Sequence, residues 1–356
     1  MKKVDFDNLT RDDLIFFLKT KDKTEIDRLM QAAYDLKMKI VGPKVYFRGI
    51  IEFSNICTKN CYYCGIRKDN TNVDRFKMKE VEILECSELG WKMNYGSLAL
   101  QSGERMDEEF VGFVENIIKK IKEMSRGELG ITLSLGEQTE DTYRRWFEAG
   151  AHRYLLRIET SNSELYSSLH PLDHQFPYRF ECLNTLRNIG YQVGTGVMIG
   201  LPGQTAEMLA DDIIFFRDRD IDMIGMGPYI PHKDSPLAAK AIGWNKEDQL
   251  QLGLKMIALT RLYLKDVNIA STTALQALHP EGREYGLKAG ANIIMPNITH
   301  TKYRDRYKLY EGKPCTDENA SMSRVCLEGR IGNIGEKIGY GEWGDSIHFT
   351  KRTDDR

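Results

Sequence analysis

From residue 45 onward the chain repeats one unit eight times: a short apolar run, then a longer stretch with apolar residues at helical spacing. The apolar runs are 45–53, 97–101, 130–135, 153–158, 192–199, 223–228, 267–270 and 293–295. Between them lie amphipathic stretches at 79–95, 107–125, 139–149, 175–189, 205–219, 245–265 and 280–288. Strand–helix–strand units build parallel sheets, because a crossover must return the chain to the same end. Eight units predict an α/β fold of the (β/α)8 TIM-barrel type, with the site at the strand C-termini. A doubly wound open sheet shares the pattern and stands as the alternative. Hydrophobic residues are 41% of 356, ample for a sizeable core.

Residues 1–44 read as a helical segment ahead of the barrel. Thr10 with Asp13 three residues on is a capping-box-like start. Ile26, Leu29, Met30, Ala33, Leu36 and Ile40 then recur at helical spacing until Gly42-Pro43. The barrel is assigned to 45–300, and 301–356 to a C-terminal extension packing on it, with 303–356 outside the ring of strands. Fifty Lys and Arg against 52 Asp and Glu leave almost no net charge, so neither a nucleic-acid nor a membrane partner is expected. No run approaches a transmembrane span. The charged start Met1-Lys2-Lys3-Val4-Asp5 has no signal-peptide core, and sparse, odd-numbered cysteines suit a reducing compartment, so a cytoplasmic location is expected.

Three of the seven cysteines, Cys57, Cys61 and Cys64, fall within eight residues just past the first apolar run, spaced C-x3-C-x2-C. Three thiolates on one loop can hold three irons of a 4Fe-4S cube and leave the fourth open to a small chelating molecule. Zinc would want a fourth Cys or His in a close pair, and none has that spacing nearby. Cys86 and Cys182 sit among leucines in helical patterns and read as core thiols. Polar residues crowd the ends of five strands: Gln101 to Glu104, Ser134 to Glu137, Arg157 to Thr160, Gly200 to Thr205, and Gly227 to His232. Thr160 and Thr205 read as helix N-caps. The shared pattern, on the same face as the cysteine loop, points to one large pocket, since polar groups at apolar strand ends are costly unless they bind or pair.

The cysteine spacing, with the aromatic Tyr63 before the third cysteine, resembles the radical S-adenosylmethionine (SAM) superfamily. Within it the chain looks like the FeFe-hydrogenase maturase branch, the HydE type. The likeness runs through Arg48-Gly49-Ile50-Ile51-Glu52-Phe53-Ser54-Asn55, Leu100-Gln101-Ser102-Gly103-Glu104, Gly200-Leu201-Pro202-Gly203-Gln204-Thr205 and Gly227-Pro228-Tyr229-Ile230-Pro231-His232, and covers most of 45–346. It implies a 4Fe-4S cluster on the three cysteines and reductive cleavage of SAM to a 5'-deoxyadenosyl radical. It implies that Glu104 accepts the SAM ammonium, Arg179 binds its carboxylate, and Glu159 with Ser134 holds the ribose. Tyr63, Met198 and Ile230 would meet the adenine.

The same likeness implies a role in assembling the diiron subcluster of FeFe-hydrogenase, acting on a cysteine-bound iron carbonyl-cyanide precursor. Arg48, Gln101, Arg153, Arg157, Thr272 and Thr273 would line the substrate space, since buried arginines stay charged and receive anions. Implied partners are a tyrosine-cleaving radical SAM maturase, a GTPase scaffold maturase and an electron donor. Some relatives hold an auxiliary 2Fe-2S cluster on C-x7-C-x2-C; here Cys315 and Cys326 match the outer positions but the middle one is Ser323. Serine is a poorer soft-metal ligand, so no auxiliary cluster is expected. The rival readings are a methylornithine-synthase-like mutase, a biotin-synthase-like sulfur inserter and a non-catalytic iron-sulfur carrier. Glu104, Arg179 and Glu159 argue against the carrier.

Overall fold

The computed structural model describes residues 3–314 and 320–354. In chain order its strands are β1 (Lys44–Ser54), β2 (Ser97–Ser102), β3 (Gly130–Ser134), β4 (Arg153–Leu155), β5 (Gln192–Thr195), β6 (Met198–Ile199), β7 (Met223–Ile224), β8 (Gly227–Pro228), β9 (Asn268–Ile269), β10 (Ile293–Ile294) and β11 (Lys337–Ile338). The helices that lead in are α1 (Arg11–Lys19) and α2 (Lys23–Ile40). Those between strands are α3 (Glu80–Lys92), α4 (Glu108–Met124), α5 (Glu140–Glu148), α6 (Ser163–Leu169), α7 (Phe176–Ile189), α8 (Ala206–Asp218), α9 (Lys246–Leu264), α10 (Thr273–Leu278) and α11 (Gly282–Lys288). The tail adds α12 (Thr301–Arg304), α13 (Ala320–Asn333) and α14 (Ile347–Asp354).

Eight strands pair in the order β10-β1-β2-β3-β4-β5-β7-β9, each with its neighbour in parallel. The ends then meet. Asn292 N–H donates to Ile269 O (2.9 Å) and Ser271 N–H to Ile293 O (2.8 Å), beside a parallel bridge between Ala270 and Ile293. The sheet is therefore a closed (β/α)8 barrel rather than an open one. Outward side chains such as Leu98, Leu100, Ile131 and Leu133 are buried with Ile118, Trp146 and Ile213 of the surrounding helices. Inward side chains follow the two-residue period of a strand: Arg48, Ile50 and Glu52; Ala99 and Gln101; Thr132 and Ser134.

Thr10 and Asp13 form the capping box of α1, and α1 and α2 lie against α8 and α9. Several strands are shorter than the apolar runs, among them β4 and β9, and two runs are interrupted. The runs at 192–199 and 223–228 each break in the middle, because Gly196 passes so close to Gly225 that a Cβ on it would lie 2.1 Å from the Gly225 carbonyl. Beyond the break, β6 and β8 form a separate two-stranded parallel ribbon above the barrel rim. Thr205 caps α8 as expected. Thr160 does not cap a helix: Asn162 caps α6, and the Thr160 hydroxyl accepts from the Asn162 N–H instead (3.2 Å).

The tail beyond Tyr303 adds no strand to the ring, yet both ends of the barrel are built with it. β11 pairs alongside the start of β1, and the chain then crosses beneath the N-terminal mouth. There Arg153, fully buried, donates to the Asp345 carboxylate (2.6 and 2.9 Å) and to Trp343 O (2.6 Å). Arg48 and Asn268 donate to Gly344 O, at 3.2 and 2.8 Å, and Gln192 donates to Asp345 (2.8 Å). Burial works against the charge of Asp345, but His152 and Arg153 together hold its carboxyl well below the ordinary range. No helix among the described residues is long and apolar enough to cross a membrane. Asp345→Ala strands the Arg153 guanidinium in the floor and should cost about 3 kcal/mol of stability. Denaturant unfolding checks this; an unchanged midpoint would mean the tail is not a structural floor.

Candidate functional site

With the floor closed, the barrel encloses a cavity of about 360 Å³ that opens at the C-terminal ends of the strands. Cys57, Cys61 and Cys64 line its upper wall, on the loop that leaves β1. The loop is pinned from four sides. Thr58 N–H donates to Glu104 O (2.9 Å), Tyr62 N–H to Leu169 O (2.9 Å), Gly65 N–H to Leu309 O (3.0 Å), and Asn60 N–H to His174 Nε2 (3.3 Å). From below, Arg75 gathers five carbonyls: Asn55 (2.7 Å), Ile66 (2.8 Å), Arg67 (2.6 Å), Asn70 (3.1 Å) and Lys68 (3.3 Å). Gly103 is required where β2 meets the loop, since a Cβ there would lie 2.4 Å from Ile56 O and 2.8 Å from Cys57 Cβ.

The sulfur environment suits anionic ligands of a metal centre. Cys57 Sγ accepts from the backbone N–H groups of Glu104 (3.3 Å) and Lys59 (3.4 Å). Without a counter-charge, burial raises all three thiols, and Cys61 to about 12. Three half-buried thiols facing one cavity are stable as thiolates only if a cation compensates them.

Four charges stand at the loop: Glu104 after β2, Glu137 after β3 and Arg179 from α7, all buried, and the half-buried Lys59 from the loop itself. Glu137 receives both good contacts, from Lys59 Nζ (2.8 Å) and Arg179 Nε (2.8 Å). Glu104 keeps only looser ones, 3.3 Å from Lys59 and 3.9 Å from Arg179. Its Oε1 has no hydrogen-bond partner among the described residues. Burial and the Glu137 carboxylate push Glu104 up, whereas Arg179 and Lys59 outweigh burial and hold Glu137 down. Gly136, at φ +80°, makes room for the Glu104 carboxylate: a Cβ there would lie 2.1 Å from its Oε2.

Glu159 lies across the cavity with a left-handed φ of +62°, uncommon for a residue with a side chain and a form of strain that gathers at functional sites. Its carboxylate is 2.9 Å from Arg157 Nη2. Ser134, Tyr63, Met198 and Ile230 line the same upper region, with Tyr63 OH 3.3 Å from His170 Nε2. Deeper in, Arg48, Gln101, Arg157, Thr272 and Thr273 face the cavity. Arg157 Nε, Arg48 Nε and the Thr272 hydroxyl have no hydrogen-bond partner among the described residues. Arg153 is the exception to the expected set. It sits at the start of β4, is spent on Asp345 and Trp343 in the floor, and does not line the cavity.

Sequence reasoning left out several residues that build the site. Lys59 and Glu137 stood inside stretches already singled out, but nothing local showed that they pair. Tyr307, Leu309, Tyr310, Lys313 and Pro314 of the tail also line the cavity. Lys313 is paired with Glu52, which Asn297 also reaches (2.9 Å), and Tyr310 OH shares a hydrogen bond with Thr273 (2.8 Å). Cys86 and Cys182 are buried in the core. Cys315 lies outside the described residues; Ser323 and Cys326 fall in α13, where Cys326 is exposed.

Residues 51–216 match the model of the radical SAM superfamily. The chain is 44% identical over 345 residues to the FeFe hydrogenase maturase subunit HydE of Thermotoga maritima, covering 97% of this chain and 96% of that one. Among solved structures, a methylornithine synthase (PylB) superposes with a TM-score of 0.79 at 23% identity, over 94% of this chain and 95% of that one. The FeFe-hydrogenase maturase HydG from Carboxydothermus hydrogenoformans gives 0.78 at 20%, over 94% and 76%. At those identities the two structures speak for the fold alone, and both are consistent with the closed barrel.

Removing Arg75 withdraws donors from five loop carbonyls. Arg75→Ala should therefore speed amide hydrogen exchange at Tyr62, Cys64, Arg67 and Lys68 by about tenfold or more, with the barrel strands unchanged. Equal exchange in both proteins would show that the loop is held without it.

Proposed function

The chain belongs to the HydE family of FeFe-hydrogenase maturases within the radical SAM superfamily, and we propose that it serves FeFe-hydrogenase maturation by reductive cleavage of SAM on the assembly pathway of the diiron subcluster. The observation that carries this is the placing of three loop thiols at the open end of a cavity whose other end is sealed, with Glu104, Arg179 and Glu159 beside them. When bound, a 4Fe-4S cluster and SAM would supply one-electron reductive cleavage of the sulfonium. Cys57, Cys61 and Cys64 would hold the cluster, and the N–H groups of Lys59 and Glu104 that point at Cys57 favour its anionic form.

The remaining work belongs to this chain's side chains. Glu104 offers an underpaired carboxylate oxygen, suited to an ammonium. Arg179, locked by Glu137 and by Arg157 O (2.9 Å), offers a guanidinium to a carboxylate without having to be ordered on binding. Glu159 and Ser134 suit ribose hydroxyls, and Tyr63, Met198 and Ile230 suit a flat purine. Below them Arg48, Gln101, Arg157, Thr272 and Thr273 form a donor-rich wall fit for the cyanide and carboxylate groups of a cysteine-bound iron carbonyl-cyanide precursor. Tyr307, Leu309, Tyr310 and Pro314 of the tail complete the wall of that space. The proposed partners are the tyrosine-cleaving maturase that would supply this precursor, a GTPase scaffold maturase that would take the product, and a one-electron donor. The tail thiols are proposed to have no part in the radical chemistry, because Ser323 interrupts their ligand set.

Anaerobic reconstitution with iron and sulfide, followed by dithionite and SAM, tests this directly. The wild-type chain should release 5'-deoxyadenosine, and Cys61→Ala should release none. Cys315→Ser/Cys326→Ser should keep both its activity and its iron content. A wild-type protein that loads iron but leaves SAM intact would point to an iron-sulfur carrier, and loss of about two irons from the double variant would reveal a second cluster.

A further inference from the structure

Within the charged group at the cavity mouth, the two carboxylates are treated unequally. Glu137 does not line the cavity, yet it takes the short contacts of both cations, Lys59 and Arg179, at 2.8 Å each. Glu104 does line the cavity and is left with contacts of 3.3 and 3.9 Å that make no hydrogen bond. Both acids are almost fully buried, so neither has water as a substitute partner. In such a place a bare carboxylate normally captures the nearest cation. Here two cations lie within reach of Glu104, Lys59 still in ion-pair contact at 3.3 Å, yet the hydrogen bonds of both go to Glu137.

We propose that Glu137 is a positioning residue that acts as a decoy counter-ion: it takes the hydrogen bonds of Lys59 and Arg179, so that Lys59 only weakly occupies Glu104 and the Glu104 carboxylate stays available to the ammonium of an incoming ligand. The geometry around it supports that division. Arg179 is steadied further by donating from Nη1 to Arg157 O (2.9 Å), which leaves its Nη2 3.9 Å from Glu104. Gly136 sets the Glu104 carboxylate close against the backbone, where any Cβ would displace it. Lys59 is the mobile member, a single flexible ammonium shared unevenly between two acids. In the free protein it is also the competitor that a ligand ammonium must displace from Glu104. The inference rests on the reading of Glu104 as the acceptor for the SAM ammonium.

The test is equilibrium dialysis of radiolabelled SAM against the oxidised, cluster-loaded enzyme under nitrogen, where binding is measured without turnover. Glu137→Gln keeps the shape but loses the charge, so Lys59 and Arg179 should close on Glu104 and SAM affinity should fall about tenfold, the scale of one charge-assisted hydrogen bond. Adding Lys59→Met removes the competitor and should regain affinity, which a merely structural role for Glu137 would not produce. Lys59→Met alone should bind SAM more tightly than wild type, although it loses a buried ion pair. Unchanged affinity in Glu137→Gln overturns the proposal, as does a loss that Lys59→Met fails to relieve. If Glu137→Gln does not fold or load iron, Lys59→Met alone decides: tighter binding supports the decoy, equal or weaker binding overturns it. Glu104→Gln separates the two layers. If that variant binds SAM as wild type does, the reading of Glu104 itself is wrong; if it binds weakly while the other variants behave contrary to expectation, only the decoy falls.

Discussion

A parallel sheet escapes having edges only if its first and last strands meet, and here they meet through a few backbone hydrogen bonds. Asn292 to Ile269 and Ser271 to Ile293 join two strands of two residues each, and the ring is complete. Closure gives every strand an inner face, and because side chains alternate along a strand every second residue points into one shared space. That space is walled largely by apolar side chains such as Ile50, Leu155, Ile224 and Ile293, with Arg48, Glu52, Gln101 and Asn268 set among them. A hollow barrel has two mouths, and the chain treats them oppositely. The tail seals the lower one with Arg153, Asp345 and the carbonyls of Trp343 and Gly344, which leaves the upper one for chemistry.

At the upper mouth the governing problem is charge. Three half-buried thiols, the buried Glu104, Glu137 and Arg179, and the half-buried Lys59 lie within one layer, together with the Arg157–Glu159 pair. Such a concentration is a poor source of stability, because desolvation offsets most of the pairing. It is a good source of preorganised electrostatics, because each group is fixed by a neighbour before any ligand arrives. Arg75, reaching five carbonyls, does for the backbone of the cysteine loop what Glu137 does for the side chains. Both fix geometry at a distance from the reacting atoms.

Much of this was legible in the sequence. The eight repeats gave the alternation of strands and helices, because those periods are local properties, and pointed to a barrel without excluding an open sheet, since closure rests on tertiary contacts. The cysteine triad stood out because its spacing is local too. The upper-site residues from Tyr63 to Ile230 line one cavity, although Arg179, expected just past a strand, reaches it from within α7. What escaped was whatever depended on the tail. Arg153 faces inward by strand period just as Arg157 does, four residues on; only the arrival of Asp345, almost two hundred residues later, makes one structural and leaves the other in the cavity. Lys313 and Tyr310 reach the cavity by a similar long return. Strand lengths were overestimated at 192–199 and 223–228, where the close approach of Gly196 to Gly225 is a tertiary fact with no local signature.

The central claim is that the three thiols leave one iron of a bound cluster open to the ligand that Glu104 and Arg179 receive. Electron–nuclear double resonance on the reduced, cluster-loaded enzyme with SAM labelled with 15N at its amino group addresses it directly. A resolved 15N coupling to the cluster spin is expected, weakened or lost in Glu104→Gln. A reduced cluster with SAM bound but no 15N coupling would contradict it.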